Sequence, residues 1–140
     1  MKSEYVYRFV RSSWGIYVGL TAEMIPRADY SGKSIEVVPN IYLSIEAPNI
    51  VSTEHDYLIR GIKLTQHELQ KQLKEQLPIV IRIMELEIAL TDYQPEGLTY
   101  ALVGWLEQEI GIIYHLPTPV FDKERNIYVF NFAKPITSDE

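Results

Sequence analysis

The chain predicts an α+β fold, a mostly antiparallel sheet of five or six strands with two helices packed on one face. Three observations carry that expectation. Runs of β-branched and aromatic residues, several alternating with polar ones, recur at 4–10, 14–24, 34–46, 79–91 and 127–133. Two stretches between them, around 54–77 and 97–110, place apolar residues at helical spacing. The 140 residues, 46% hydrophobic and 23% charged, are enough for one core without disulfide or metal staples. A single domain over 1–136 is expected, with a frayed tail at 137–140.

The first strand alternates cleanly, with Tyr5, Tyr7 and Phe9 on one face and Val6, Arg8 and Val10 on the other. Ser12-Ser13 makes a turn into a second strand, Trp14 to Met24, in which Gly15 and Gly19 mark a bulge or a close backbone approach. Pro26 to Lys33 is a polar loop. Ser34 to Glu46 is β-rich but broken by Pro39-Asn40, which predicts a bent edge strand or two short pieces.

Ser52-Thr53 followed by acids is a helix start. Leu58, Ile62, Leu69, Leu73 and Leu77 share one helical face, and Thr65 to Glu68 is a capping-box pattern that places the helix at 66–76. Gly61 and the alternation from Tyr57 to Leu64 leave 54–64 open between helix and strand. Pro78 ends the helix, and Ile79 to Thr91 follows as a central strand with Val80, Met84, Leu86, Ile88 and Leu90 as its apolar set.

Asp92 or Gln94 is expected to cap the second helix, which runs to Ile110 and stops at Gly111. Leu98, Ala101, Leu102, Trp105 and Leu106 form its core face. Gly97, Ala101 and Gly104 form a small-residue stripe suited to close contact with a sheet. Ile112 to Tyr114 reads as a short strand and His115 to Pro119 as extended loop. The last strand, Ile127 to Ala133, carries Tyr128, Phe130 and Phe132 on one face, so the two terminal strands are expected near each other in one sheet.

Thirteen Lys and Arg against nineteen Asp and Glu give a net charge of −6. No Lys or Arg occurs between Arg82 and Lys123, a stretch holding Glu85, Glu87, Asp92, Glu96, Glu107, Glu109 and Asp122. Outside it the signs nearly balance. Nucleic-acid binding needs clustered cations and is disfavoured. The absence of Cys excludes thiolate catalysis, Cys-ligated zinc and iron–sulfur clusters. With no apolar signal core and no run near the ~18 apolar residues of a membrane span, no membrane association is expected, and a cytoplasmic location is the default.

His55, His67 and His115 lack the spacing of a metal motif, and no phosphate-cradling Gly-rich loop or GxSxG elbow is present. Glu85 and Glu87, two apart on a strand, project to one face, as acid–base pairs and divalent-ion ligands do. No third ligand follows at fixed spacing, so no catalytic residue, metal ligand or cofactor is expected. Tyr30, Tyr93, Tyr100 and Tyr114 lie off the predicted core faces, and Tyr93 and Tyr100 stand beside Asp92 and Glu96. Acid mixed with aromatic suits a basic protein partner.

The order strand, strand, strand, helix, strand, helix, strand resembles the ribosomal protein S5 domain 2-like architecture. Tyr57 to Leu77, Val80 to Asp92 and Gly97 to Ile110 are similar to parts of domain IV of elongation factor G. There a helix leads through a short break into a β-rich run ending in Leu-x-Asp, then a helix containing Ala and Gly. The resemblance covers under half the chain and implies a fold. That domain is an RNA-facing module attached to a GTPase, whereas the matching segment here is acidic where RNA contact calls for Lys and Arg. In type, as a small, acidic, Cys-free chain, it also resembles immunity proteins that neutralise basic nuclease toxins.

The expected function is a non-enzymatic protein-binding module, an immunity-type inhibitor in its sharpest form. Its expected contact residues are Glu85, Glu87, Asp92, Tyr93, Glu96, Tyr100, Glu107 and Glu109. Two alternatives stand beside it: a metal- or small-ligand-binding protein or enzyme using Glu85, Glu87 and His115, and a homodimer paired through the apolar second helix.

Overall fold

A computed structural model of the chain describes residues 2–89 and 91–132; the expected tail at 137–140, and Leu90 and Ala133 among the strand predictions, lie outside them. The fold is α+β. Strands β1 (Ser3–Val10), β2 (Gly15–Pro26), β3 (Ile35–Val38), β4 (Ile41–Ile45) and β5 (Ile79–Ile88) form one sheet in the order β1-β2-β5-β4-β3. Three helices, α1 (Ser52–Leu64), α2 (Gln66–Gln72) and α3 (Glu96–Ile110), take the place of the two expected. A separate hairpin, β6 (Val120–Asp122) with β7 (Ile127–Val129), completes the described residues.

The sheet is mixed. β1, β2 and β5 pair antiparallel, as do β3 and β4, but β4 runs parallel to β5. The reason lies in the connection: α1 and α2 carry the chain back across the sheet, and a helical crossover returns a strand in the same direction. Pro39-Asn40 does make two short pieces, folded into a hairpin with Asn40 in the left-handed region at φ 67°.

The last strand corrects the expectation more sharply. β7 is three residues long and pairs with β6, not with β1. It reaches β1 through side chains instead. The Tyr128 ring is 1% exposed and meets Phe9 edge-on at 5.7 Å, while its hydroxyl accepts the Arg11 N–H (2.9 Å) and donates to the Trp14 carbonyl (2.5 Å). Gln94, an expected helix cap, serves as a strand surrogate: its amide donates to the Tyr128 carbonyl (2.9 Å) and accepts the Tyr128 N–H (2.6 Å). Asp92, the other expected cap, accepts the Gly15 N–H at 3.1 Å, so the N-cap position falls to Pro95. Ile112 to Tyr114 forms no strand.

The capping box expected at Thr65 is also absent. Its hydroxyl is fully buried and donates back to the carbonyls of Gly61 and Ile62, satisfying the end of α1 rather than the start of α2. Residues 54–64 are helical, and α1 is entered through Glu54, whose carboxylate accepts the Val51 N–H at 2.9 Å.

The helices bury one face of the sheet. Ile16, Val18 and Leu20 of β2 and Ile81 and Ile83 of β5 are fully buried against Leu58, Ile62, Leu98 and Leu102. A bulge makes this possible. Thr21 pairs with Glu85 and Ala22 with Ile83, leaving Met84 as the extra residue in β5. Apolar residues therefore face the helices on both sides of the bulge, as Ile81 and Ile83 before it and Leu86 after it.

Helix α3 is the centre of the layer. Every residue from Gly97 to Leu106 is buried. A Cβ at Gly97 would lie 2.8 Å from Ile16 Cγ2 and 3.1 Å from Val18 Cγ2, and one at Gly104 would strike the Tyr5 ring. The small-residue stripe is thus the contact line with β1 and β2. Gly97→Ala is expected to destabilise by about 1–3 kcal/mol, because both opposing residues are β-branched and locked in the central sheet. Gly104→Ala should cost less, since the half-buried Tyr5 ring can swing aside; urea denaturation of both variants orders them. Tyr128→Phe should cost about 1–3 kcal/mol by the same measurement, since it leaves the Arg11 N–H without its acceptor.

Candidate functional site

The two faces of the sheet differ in cover. On the face opposite the helices, strand alternation and the register bring together Glu4, Val6, Arg8 and Val10 of β1, Tyr17 and Thr21 of β2, and Glu85 and Glu87 of β5. Val6 and Val10 remain 41% and 43% exposed, and Glu4, Arg8, Glu85 and Glu87 are all exposed. Over β4 and the start of β5 the same face carries Arg27, its guanidinium over the Tyr42 ring, and Tyr30. There Arg82 is clamped by Glu23 (Nη1 to Oε2, 2.7 Å) and Glu46 (Nε to Oε2, 2.7 Å). Tyr30 closes the network, donating to Glu46 at 2.9 Å with Ser44 at 2.5 Å. The Arg82 guanidinium holds the Glu46 carboxyl below the usual carboxylate range.

That clamp leaves the β1–β2–β5 quarter acidic. Glu4 Oε2 and Glu87 Oε1 converge over Gly19, 3.4 and 3.5 Å from where its Cβ would stand. A Cβ at Gly19 would stand in ordinary van der Waals contact with both, so it is the strand register that brings the two carboxylates here from opposite neighbouring strands. Arg8 is the cation of this quarter, and among the described residues it forms no ion pair. Tyr17 donates its hydroxyl to Glu87 Oε1 at 2.7 Å. The carboxylate acceptor favours the neutral phenol and raises the Tyr17 pKa.

The other residues expected at a contact surface lie elsewhere. Asp92 binds the start of β2. Tyr93 is half-buried and donates to Glu54 (2.5 Å), tying the entry of α3 to α1. Glu96 lies in the first turn of α3, 3.4 Å from the Gln94 amide. Tyr100 is 7% exposed, with its hydroxyl donating to the Pro117 carbonyl, and burial pushes its pKa up to about 12. Tyr114, 8% exposed, is buried too. Glu107 accepts the Tyr114 N–H at 2.9 Å, and Glu109 is exposed at the end of α3. Of the eight, Glu85 and Glu87 share the open sheet face; those on α3 sit on the opposite side. Glu4 and Tyr17 join the site from outside the cation-poor segment. The alternation of β1 already placed Glu4 with Val6 and Arg8, but only the register brings Glu4 to Glu87.

His115 lines a cleft of about 330 Å³ between β1 and α3 with Tyr5, Tyr7, Tyr100 and Glu107, on the helical side of the sheet and away from Glu85 and Glu87. The buried Tyr7 hydroxyl has no hydrogen-bond partner among the described residues. Among those residues no group of three or more His, Asp or Glu stands together as a cation site, and no helix is long and apolar enough to cross a membrane.

No protein-family model and no curated protein matches the chain. Among solved structures, a crystal structure of a protein from Thermus thermophilus is similar in fold, with a TM-score of 0.51 at 12% identity. The match covers 74% of this chain and 14% of that one.

Glu87→Gln removes the charge that opposes Tyr17 ionisation, so the Tyr17 pKa should fall toward that of free tyrosine. Alkaline absorbance titration, with Tyr17→Phe subtracted to isolate the residue, reads the shift. The raised pKa means this bond supports the fold below pH ~10 and is lost as pH climbs through the folded value.

Proposed function

We propose that the chain is a non-enzymatic protein-binding module that docks the β1–β2–β5 quarter of its open sheet face on a basic protein. The observation that carries the reading is the pattern of charge and cover on that face. Glu4, Glu85 and Glu87 stand exposed with Tyr17 hydrogen-bonded to Glu87 and with Arg8, Val6 and Val10 beside them, while Arg82 is already taken by Glu23 and Glu46. Carboxylates around an aromatic, with apolar residues at the margin, match a partner presenting Lys and Arg around a shallow hydrophobic patch. An immunity-type role, in which the acidic face occupies the cationic site of a toxin, is the sharpest version of this reading. Relative to the sequence-based expectation, the surface loses Asp92, Tyr93, Tyr100 and the α3 acids and gains Glu4 and Tyr17.

Glu85→Lys with Glu87→Lys should abolish retention of a basic partner captured from the native lysate at low ionic strength, and raised salt should release that partner from the unaltered chain. Glu124→Lys, an exposed reversal in the β6–β7 turn, should leave retention intact. Retention that ignores both salt and the double reversal would remove the acidic face as the docking surface.

A further inference from the structure

We propose that a cavity beside the end of β4 binds a small phosphorylated molecule. The cavity measures about 530 Å³, within the size range of small-molecule sites. Arg27, Lys33, His55 and Ser34 line it together with Leu43 and Ile45, and no carboxylate contributes to its wall. In a chain with a net charge of −6 this segregation runs against the average composition.

None of the three basic side chains forms an ion pair among the described residues. Arg27 is the most informative. Its guanidinium lies over the Tyr42 ring at 4.7 Å, and its Nε is buried with no hydrogen-bond acceptor among the described residues. The planar guanidinium fork suits the several oxygens of a phosphate, through the N–H groups other than this buried one. Lys33 brings a mobile point charge, and Ser34 a hydroxyl donor. His55, in the first turn of α1, brings an imidazole donor. The half-buried Ile45 side chain gives the body of an organic phosphate an apolar surface that free phosphate would not use.

The site stands apart from the acidic quarter, so it can fail without touching the docking reading. Amide chemical shifts of the isotope-labelled chain, followed during titration with inorganic phosphate and with phenyl phosphate, test it. Sodium chloride at matched ionic strength is the control. Saturable shifts at Gly32, Lys33, Ser34 and His55 are expected with both phosphates, stronger binding with phenyl phosphate, and none with chloride. Arg27→Gln and the exposed Lys33→Gln should each weaken binding about tenfold, the loss of one charge-assisted hydrogen bond. Arg125→Gln, on the remote β6–β7 turn, should not. If Arg27→Gln fails to fold, Lys33→Gln decides. Absence of saturation, shifts reproduced by chloride, or affinity unchanged in the folded variants would overturn the site. Equal affinity for the two phosphates would overturn its assignment to an organic phosphate.

Discussion

The separation between α3 and the β1–β2 ladder is set by positions that carry little or no side chain. Gly97 lies against Ile16 and Val18, and Gly104 lies under the Tyr5 ring. With the helix that near, Tyr7 packs on Tyr100 at 5.3 Å between ring centres, and the Trp105 indole N–H reaches Ser3. A third glycine, Gly61 of α1, admits Leu102 from the other side. Ten successive residues of α3 are buried as a result, which is how an unusually apolar helix is packed within the chain. Because the helices satisfy their apolar surface on one side, the far face of the sheet is left free.

Charge on that far face follows from three-dimensional register more than from linear clustering. A stretch without Lys or Arg looks like one acidic surface when written as a line. In space its members separate, because β5 and α3 lie in different layers and the α3 carboxylates are engaged locally. Glu107 holds the Tyr114 N–H, and Glu96 lies near the Gln94 amide. What concentrates negative potential is the meeting of Glu4 and Glu87 over Gly19, two residues more than eighty positions apart. Against these carboxylates the quarter itself keeps Arg8, while Arg82 is held two strands away from β1 by Glu23 and Glu46.

Features governed by near neighbours were legible in the chain: the alternation of Tyr5, Tyr7 and Phe9, the break at Pro39-Asn40, the small-residue stripe of α3 and the left-handed Gly111 that ends it. Features that depend on distant partners were not. Thr65, Asp92 and Gln94 each have the chemistry of a helix cap, and each is drawn to a different carbonyl or amide that the local pattern does not reveal. The bulge at Met84 hid the period of β5, and the aromatic stripe shared by the terminal segments marked a side-chain contact rather than a ladder. The site divides in the same way. Glu85 and Glu87 follow from spacing alone, whereas Glu4 and Tyr17 require the register, and Tyr100 required knowledge of what covers α3.

The place of β5 in the sheet has a kinetic consequence. The hairpins β1–β2 and β3–β4 join residues close in sequence, so each can form by local search. β5 is an interior strand whose partners are remote: Val18 meets Ile88 and Ile41 meets Ile79, across about seventy and about forty residues. Closing such loops spends chain entropy before any pairing rewards it. The two outer hairpins are therefore halves awaiting a keystone, and until β5 slots between them each presents an unpaired edge. Exposure of the inner edges of β2 and β4 is confined to the interval before that strand arrives, and substitutions that slow its insertion lengthen the interval even when they leave the finished fold equally stable.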